Sequence, residues 1–352
     1  MSFRNLKYYL LVAVVAAFAV SCSDDEDDAT SYPSLSGLIY NSPVFVAPEE
    51  VVTFTPKGVT HPEGNGIGYY WKVSPSMPEA DTTRLENGLN PHTGKQSDGS
   101  FVHKFSDTLA TYDVTCYAFA DGYNGDAYTV SVSVVRGGLD QSITGTGILK
   151  TDDHISVDGT DYYYTKIGGL DWFRNNLSAM DQGSSLLGED VTSDVFGRYY
   201  SYEEALTACP EGWRLPSEAD WNSLCSAVGA EVSEDYSTIR GVAAKLFANA
   251  SFNGELMLEY WPSVGQITNS SKLSLIPSGF ANLGTKDAAG KYPSAAFDGL
   301  YEYVAVWTAD LVDGEDGMAY YRYLVSDQPD FYVGKGDVKS FGASVRCVRD
   351  SE

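Results

Sequence analysis

Two separated stretches set the tightest limits on how this chain can fold: Tyr199 to Leu224 and Gly342 to Val348. In the first, Ser201 and Glu204 have the S-x-x-E spacing of a capping box, in which each side chain satisfies a free amide at a helix start. Tyr202, Ala205, Leu206 and Cys209 follow at i, i+3, i+4 and i+7, which predicts one apolar helix face. Pro210 stops that helix. Ser217 and Asp220 repeat the start signal, and Trp221, Leu224, Cys225 and Val228 make a second apolar face. In the other stretch, Ser344 to Arg349 alternates like a last, buried strand and carries Cys347. A Cys209–Cys347 bond would tie this strand back to the first helix and close nearly a whole domain, worth at most about 5 kcal/mol by chain entropy. Two reduced, buried thiols are the other reading. An exported chain favours the bond.

Export is written at the N-terminus. Arg4 and Lys7 form a positive segment, Leu10 to Val20 is apolar, and Ala19-Val-Ser-Cys22 ends it. The apolar run is short for a membrane span and is followed at once by acid. A cleaved secretory signal with a chance cysteine accounts for these residues. They also resemble a bacterial lipobox, which implies acylation of Cys22 as the first mature residue. Ser23 to Asp28 is a solvated charge run. It also resembles the acidic export signal of Bacteroidetes lipoproteins destined for the outer face of the outer membrane. Several acyl chains on Cys22 would make that anchoring stable.

The sequence of 352 residues is long enough for more than one domain. Acidic side chains outnumber basic ones 48 to 23 and no long basic run occurs, which argues against nucleic-acid binding. There is no C-x-x-C, and four His in the whole chain leave no zinc pattern and predict no metal or other cofactor. Ala29 to Ser36 reads as a tether. From Gly37 to about Arg136, β-rich runs begin at Val44, Val51, Tyr69, Ser100, Tyr112 and Tyr128, separated by Gly, Pro and Asn clusters. This predicts an all-β sandwich. Trp71, expected in a central strand, and Tyr112-x-Val-x-Cys116 resemble an immunoglobulin-like or PKD-like module. Cys116 has no nearby partner and reads as a small buried hydrophobe. Gly137 to Thr151 reads as a linker, and residues 152–350 as a second domain.

The second domain carries a family resemblance. Gly168-Gly-Leu-Asp-Trp172, Asn176-Leu177, Gly197-Arg-Tyr-Tyr200, Cys209-Pro-Glu-Gly-Trp-Arg-Leu-Pro216, Ile276-Pro-Ser-Gly279, Val306-Trp307 and Ser344-Val-Arg-Cys347 are similar to the Fibrobacter succinogenes major paralogous domain. The family's usual Trp-Met is Trp172-Phe173 here. Arg214 to Trp221 also resembles a helix of formylglycine-generating and C-type-lectin-like folds. The resemblance implies an α+β C-type-lectin-like domain behind the sandwich, and by itself no function.

The whole layout resembles the cell-surface glycan-binding lipoproteins of polysaccharide utilisation systems. That implies a polysaccharide or oligosaccharide ligand, an outer-membrane anchor facing outward, and work beside a TonB-dependent transporter and a companion glycan-binding lipoprotein. Tyr is abundant, with 25 residues, and aromatic rings suit the apolar C–H faces of sugars. Trp261, Tyr292, Tyr301 and Tyr303 lie in Gly- and Asp-rich irregular segments and are the expected contacts, with a β-glucan as the expected ligand. Tyr320-Tyr-Arg-Tyr-Leu324 reads instead as strand packing. Trp172, Trp213, Trp221 and Trp307 read as core. A structural adhesin or pilus component is the alternative for this layout. Enzyme readings are weaker. Cys347 is the single cysteine beyond Cys225, short of a late reactive pair, and no motif singles out two carboxylates of a glycosidase. Gln328-Pro-Asp330 resembles the three-residue motif of galactose-type C-type lectins, but the strand that completes a calcium cage there is missing.

Overall fold

The computed structural model describes residues 32–64, 66–75, 99–135, 152–179, 181–234, 237–248, 250–252, 255–256, 261 and 264–351. Residues 1–21, Cys22, the acidic run 23–28 and the segment 137–151 lie outside them. The chain divides into two compact units, Met1–Val135 and Arg136–Glu352.

The first unit holds strands β1 (Phe45–Val46), β2 (Val51–Phe54), β3 (Gly68–Ser74), β4 (Phe101–Lys104), β5 (Thr111–Phe119) and β6 (Asp126–Val134). All six follow from the alternating runs of the sequence. They form a four-stranded sheet, β1-β6-β5-β3, and a two-stranded sheet, β2-β4. Phe54 and Phe101 of the small sheet meet Trp71 of the large one, with ring centroids 5.9 and 5.5 Å from it. Trp71 is fully buried, yet β3 ends its sheet rather than lying at its centre. Cys116 is buried and free, and burial pushes its thiol up to about 12, so it serves as packing.

The second unit begins with β7 (His154–Val157), β8 (Thr160–Ile167) and β9 (Leu170–Phe173). Next come helices α1 (Ser193–Phe196), α2 (Tyr202–Ala208) and α3 (Glu218–Ala227), then β10 (Glu231–Val232), β11 (Thr238–Arg240) and α4 (Ala243–Leu246). Short strands β12 (Ser251–Phe252), β13 (Glu255–Leu256), β14 (Phe280–Asn282) and β15 (Ala296–Asp298) lead to three long ones: β16 (Tyr303–Leu311), β17 (Met318–Val325) and β18 (Gln328–Asp337). The unit ends with β19 (Phe341–Gly342) and β20 (Val348–Asp350). Its main sheet runs β10-β11-β18-β17-β16, and a second runs β20-β9-β8-β7.

Both predicted capping boxes form: Ser201 with Glu204 on α2, and Ser217 with Asp220 on α3. Trp221, Leu224 and Cys225 bury the inner face of α3. On α2 the predicted face is narrower, because Leu206 is 48% exposed. Cys209 caps α2 and is bonded to Cys347, 138 residues away. The predicted last strand is broken. Ala343 and Ser344 make isolated bridges, pairing resumes at Val348, and Gly342 to Val348 is buried at every position instead of at every second one.

Two buried arginines hold this region, Arg346 of the Ser344–Cys347 motif and Arg174 between Trp172 and Asn176. Arg346 donates to Asn176 Oδ1 (2.6 Å) and to the carbonyls of Phe173 (3.1 Å), Leu273 (2.7 Å) and Ser274 (3.0 Å). Arg174 donates to the Lys272 carbonyl (2.6 Å) and Ser274 Oγ (3.1 Å) and pairs with Asp152 (2.5 Å). The loop they hold has positive φ at Asn269, Lys272 and Ser274, a conformation disfavoured without such support. Trp172, Trp221 and Trp307 are fully enclosed and Trp213 is 8% exposed, so the motif tryptophans are core.

Candidate functional site: an aromatic face on the long sheet

Alternation sends the side chains of β16 to β18 to two faces. Val304, Val306, Leu324 and Phe331 enter the apolar core with Trp221. Tyr303, Tyr321, Tyr323 and Tyr332 take the other face and are half-buried. Register sets Tyr323 opposite Tyr332, and Tyr321 opposite Gly334. The rings of Tyr303 and Tyr323 stack at 5.2 Å and 10°, and those of Tyr323 and Tyr332 at 5.4 Å and 29°. The series closes on itself. Tyr303 meets Phe280 (5.2 Å), Phe280 meets Phe341 (5.7 Å), Phe341 meets Tyr321 (4.5 Å), and Tyr321 returns to Tyr323 (5.8 Å). Phe280 and Phe341, from β14 and β19, are also half-buried. Trp307 lies beneath, edge-on to Phe341 at 5.4 Å, with Nε1 donating to the Tyr200 carbonyl.

Glycine in β18 makes the arrangement possible. A Cβ on Gly334 would lie 2.3 Å from Tyr321 Cζ, and one on Gly336 would lie 2.6 Å from Phe341 Cδ1. Each bare position receives a neighbouring ring, as small residues do where close approach is needed.

Parallel rings this close cannot lie side by side in one plane; they are offset-stacked. Neighbouring faces therefore cover each other, with Thr238 of β11 flanking Tyr332 on its far side, and edges and hydroxyls remain. The Tyr303 and Tyr321 hydroxyls are 3.4 Å apart. The Tyr332 hydroxyl is 3.4 Å from both Gln328 Oε1 and Asp330 Oδ2. The Gln328-Pro-Asp330 motif thus opens β18 on the same face as Tyr332, and Asp330 Oδ1 accepts the Gly241 amide at 2.7 Å. Burial raises the phenols of Tyr303 and Tyr321, and burial with the Asp330 charge raises that of Tyr332, so all three remain protonated donors at neutral pH. Among the described residues, no group of three or more His, Cys, Asp or Glu gathers at metal-binding spacing.

The four residues expected from sequence do not come together. Tyr303 belongs to the aromatic face. Tyr301 is half-buried in the turn before β16, with φ of 67° and its amide bonded to the Pro277 carbonyl. Trp261 and Tyr292 must be corrected. Trp261 is 3% exposed, packs against Phe247 at 4.6 Å and donates Nε1 to the Tyr301 carbonyl. Tyr292 is 8% exposed and donates to Glu204 Oε2 at 2.8 Å. Both rings are enclosed, with neither face nor edge left for a sugar. Tyr321, Tyr323, Tyr332, Phe280 and Phe341 were not expected. The signal for the first two was the i, i+2 placement of Tyr on a strand, whose odd positions share one face.

No match was found among curated proteins. A solved structure described as that of the Yersinia pseudotuberculosis adhesin InvE aligns at 9% identity over 90% of this chain and 70% of that one. The TM-score of that alignment is 0.22. The Fibrobacter succinogenes major domain model matches residues 165–349, just over half of the chain and nearly all of the second unit from β8 to β20. With the motif arginines, tryptophans and disulfide built into the second unit as its scaffold, the chain belongs to the Fibrobacter succinogenes major domain family.

Proposed function

We propose that this protein is a non-catalytic cell-surface glycan-binding lipoprotein. It is anchored through Cys22 to the outer membrane, faces outward, and captures a polysaccharide for uptake beside a TonB-dependent transporter. In this reading the first unit is an Ig- or PKD-like spacer and the second a C-type-lectin-like head.

The observation that carries the proposal is the half-exposed aromatic circuit with its fringe of phenol, amide and carboxylate groups. Apolar ring edges beside fixed hydrogen-bonding groups match the alternating C–H and O–H surface of a sugar. Tyr303, Tyr323 and Tyr332 supply one ring per strand. Strands lie about 4.8 Å apart, a step comparable to one pyranose of an extended β-linked chain. A β-glucan lying across the strands fits this spacing.

The test is native electrophoresis through gels containing β-glucan. Retardation of the wild type, lost in Tyr323→Ala and Tyr332→Ala and kept in the buried Tyr292→Phe, is the expected result. Equal retardation of all four proteins would reject the aromatic face as the site.

A further inference from the structure

The opposite face of the same strands carries a separate feature. Tyr320, Arg322, Val333 and Lys335 alternate away from the aromatic face, toward α3. Between α3 and β17–β18 a groove of about 1060 Å³ opens, large for a single small molecule and sufficient for several linked rings. Glu218, Asn222 and Ser226 line its helical side, spaced i, i+4 and i+8 along one helix face. Tyr320 and Lys335 line its sheet side.

Arg322 is fully enclosed beside the groove. It pairs with Glu218 Oε2 at 2.5 Å and donates to Asn222 Oδ1 at 3.0 Å. Lys335 is paired with Glu315 at 2.5 Å. The groove is therefore charge-balanced within a chain whose net charge is −25, and offers little to a polycation or a polyanion. The buried guanidinium holds the Asn222 carbonyl, so the amide's two N–H donors are the end left for a ligand. Fixing those donors in advance lowers the ordering cost of binding. A buried ion pair adds little net stability, and orientation of neighbours is a better-attested use.

We infer that this groove is a second glycan site, taking a neutral oligosaccharide of several rings. Asn222 donates to sugar hydroxyls, and Tyr320 packs on a C–H face. The inference rests on the glycan-binding reading given above, but uses none of the residues of the aromatic face.

The test is calorimetric titration of the full-length chain, in a detergent without a sugar headgroup, with cellohexaose and laminarihexaose as probes. Two binding events per chain are expected with at least one probe. Asn222→Asp keeps the acceptor for Arg322 and removes both donors, so it should weaken one event at least tenfold. Ser226→Trp fills the groove and should abolish that event. Both variants should keep the wild-type melting temperature and the event that Tyr323→Ala and Tyr332→Ala remove. A single event, lost in the tyrosine variants and unchanged in Asn222→Asp and Ser226→Trp, overturns the groove and leaves the aromatic site standing. A single event lost in the groove variants and indifferent to the tyrosines upholds the groove and overturns the aromatic site. Absence of binding to either probe overturns both.

Discussion

Arg346 brings its charge into the core on hydrogen bonds to neutral acceptors. Burial, with the Arg174 charge acting in the same direction, pulls its guanidinium down to about 9, which still leaves it charged at neutral pH. Replacing it with Met removes those four bonds and strands three enclosed carbonyls, each worth about 1–3 kcal/mol when unsatisfied. Arg346→Met should cost about 3 kcal/mol or more of unfolding free energy in urea. Arg346→Lys should recover little, because a single ammonium cannot span the fork. Glu204 is the opposite case. Burial alone would raise its carboxyl, but Lys286 at 2.8 Å, the Gly183 and Ser201 amides and the Tyr292 hydroxyl outweigh it and hold the pKa below the ordinary value. A depressed folded pKa stabilises above the unfolded value of about 4.3 and is lost as pH falls through the folded value. Melting temperature should fall as pH drops below about 4.3, and Glu204→Gln should be less stable at pH 7 and flatter across that acid range. The Glu204 capping role was legible from four residues of sequence. The Arg346 role was not, because an arginine in an alternating run reads as a solvent-facing position.

At the scale of elements, local signals survived and cross-strand ones did not. Capping boxes and strand runs depend on neighbours in sequence, so both helices with boxes and all six strands of the first unit were found. The aromatic face depends on register between β16, β17, β18, β14 and β19, which no single segment encodes. Loop composition instead drew attention to Trp261 and Tyr292, whose segments fold back into packing. The β17–β18 pair allows a direct check. Gly334→Ala places a methyl 2.3 Å from the Tyr321 ring, and that ring is already held by Phe341 at 4.5 Å. Overpacking of this kind costs about 1–3 kcal/mol. Gly334→Ala should destabilise by that amount and weaken the near-ultraviolet circular dichroism of the stacked tyrosines. The double variant Tyr321→Ala/Gly334→Ala should recover part of the Gly334 penalty, since the two residues touch and their effects cannot be additive. Strict additivity would mean that the ring does not occupy the space above Gly334.

At the scale of the molecule, two units with separate cores predict separate unfolding. Phe54, Trp71 and Phe101 anchor the core of the first unit, and Trp221, Val306 and Phe331 a core of the second. The Cys209–Cys347 bond lies wholly within the second unit and joins positions 138 residues apart. Chain entropy gives such a closure about 5 kcal/mol at most, and native disulfides of exported domains commonly contribute about 2–5 kcal/mol. Scanning calorimetry should therefore resolve two transitions. Cys209→Ser/Cys347→Ser should lower one of them by many degrees and leave the other in place, and a reductant should do the same to the wild type. Cys209 and Cys347 pack in a second-unit core with Trp213 and Trp307, and the Trp71 core contains the free thiol Cys116, which reduction does not touch. Substituting Trp71 by Phe removes its fluorescence from the first unit, where it is the single tryptophan. The emission that remains in Trp71→Phe comes from the second unit and should follow the reductant-sensitive transition alone. A single transition, lowered as a whole on reduction, would mean that the two cores unfold as one cooperative body and that the disulfide stabilises both.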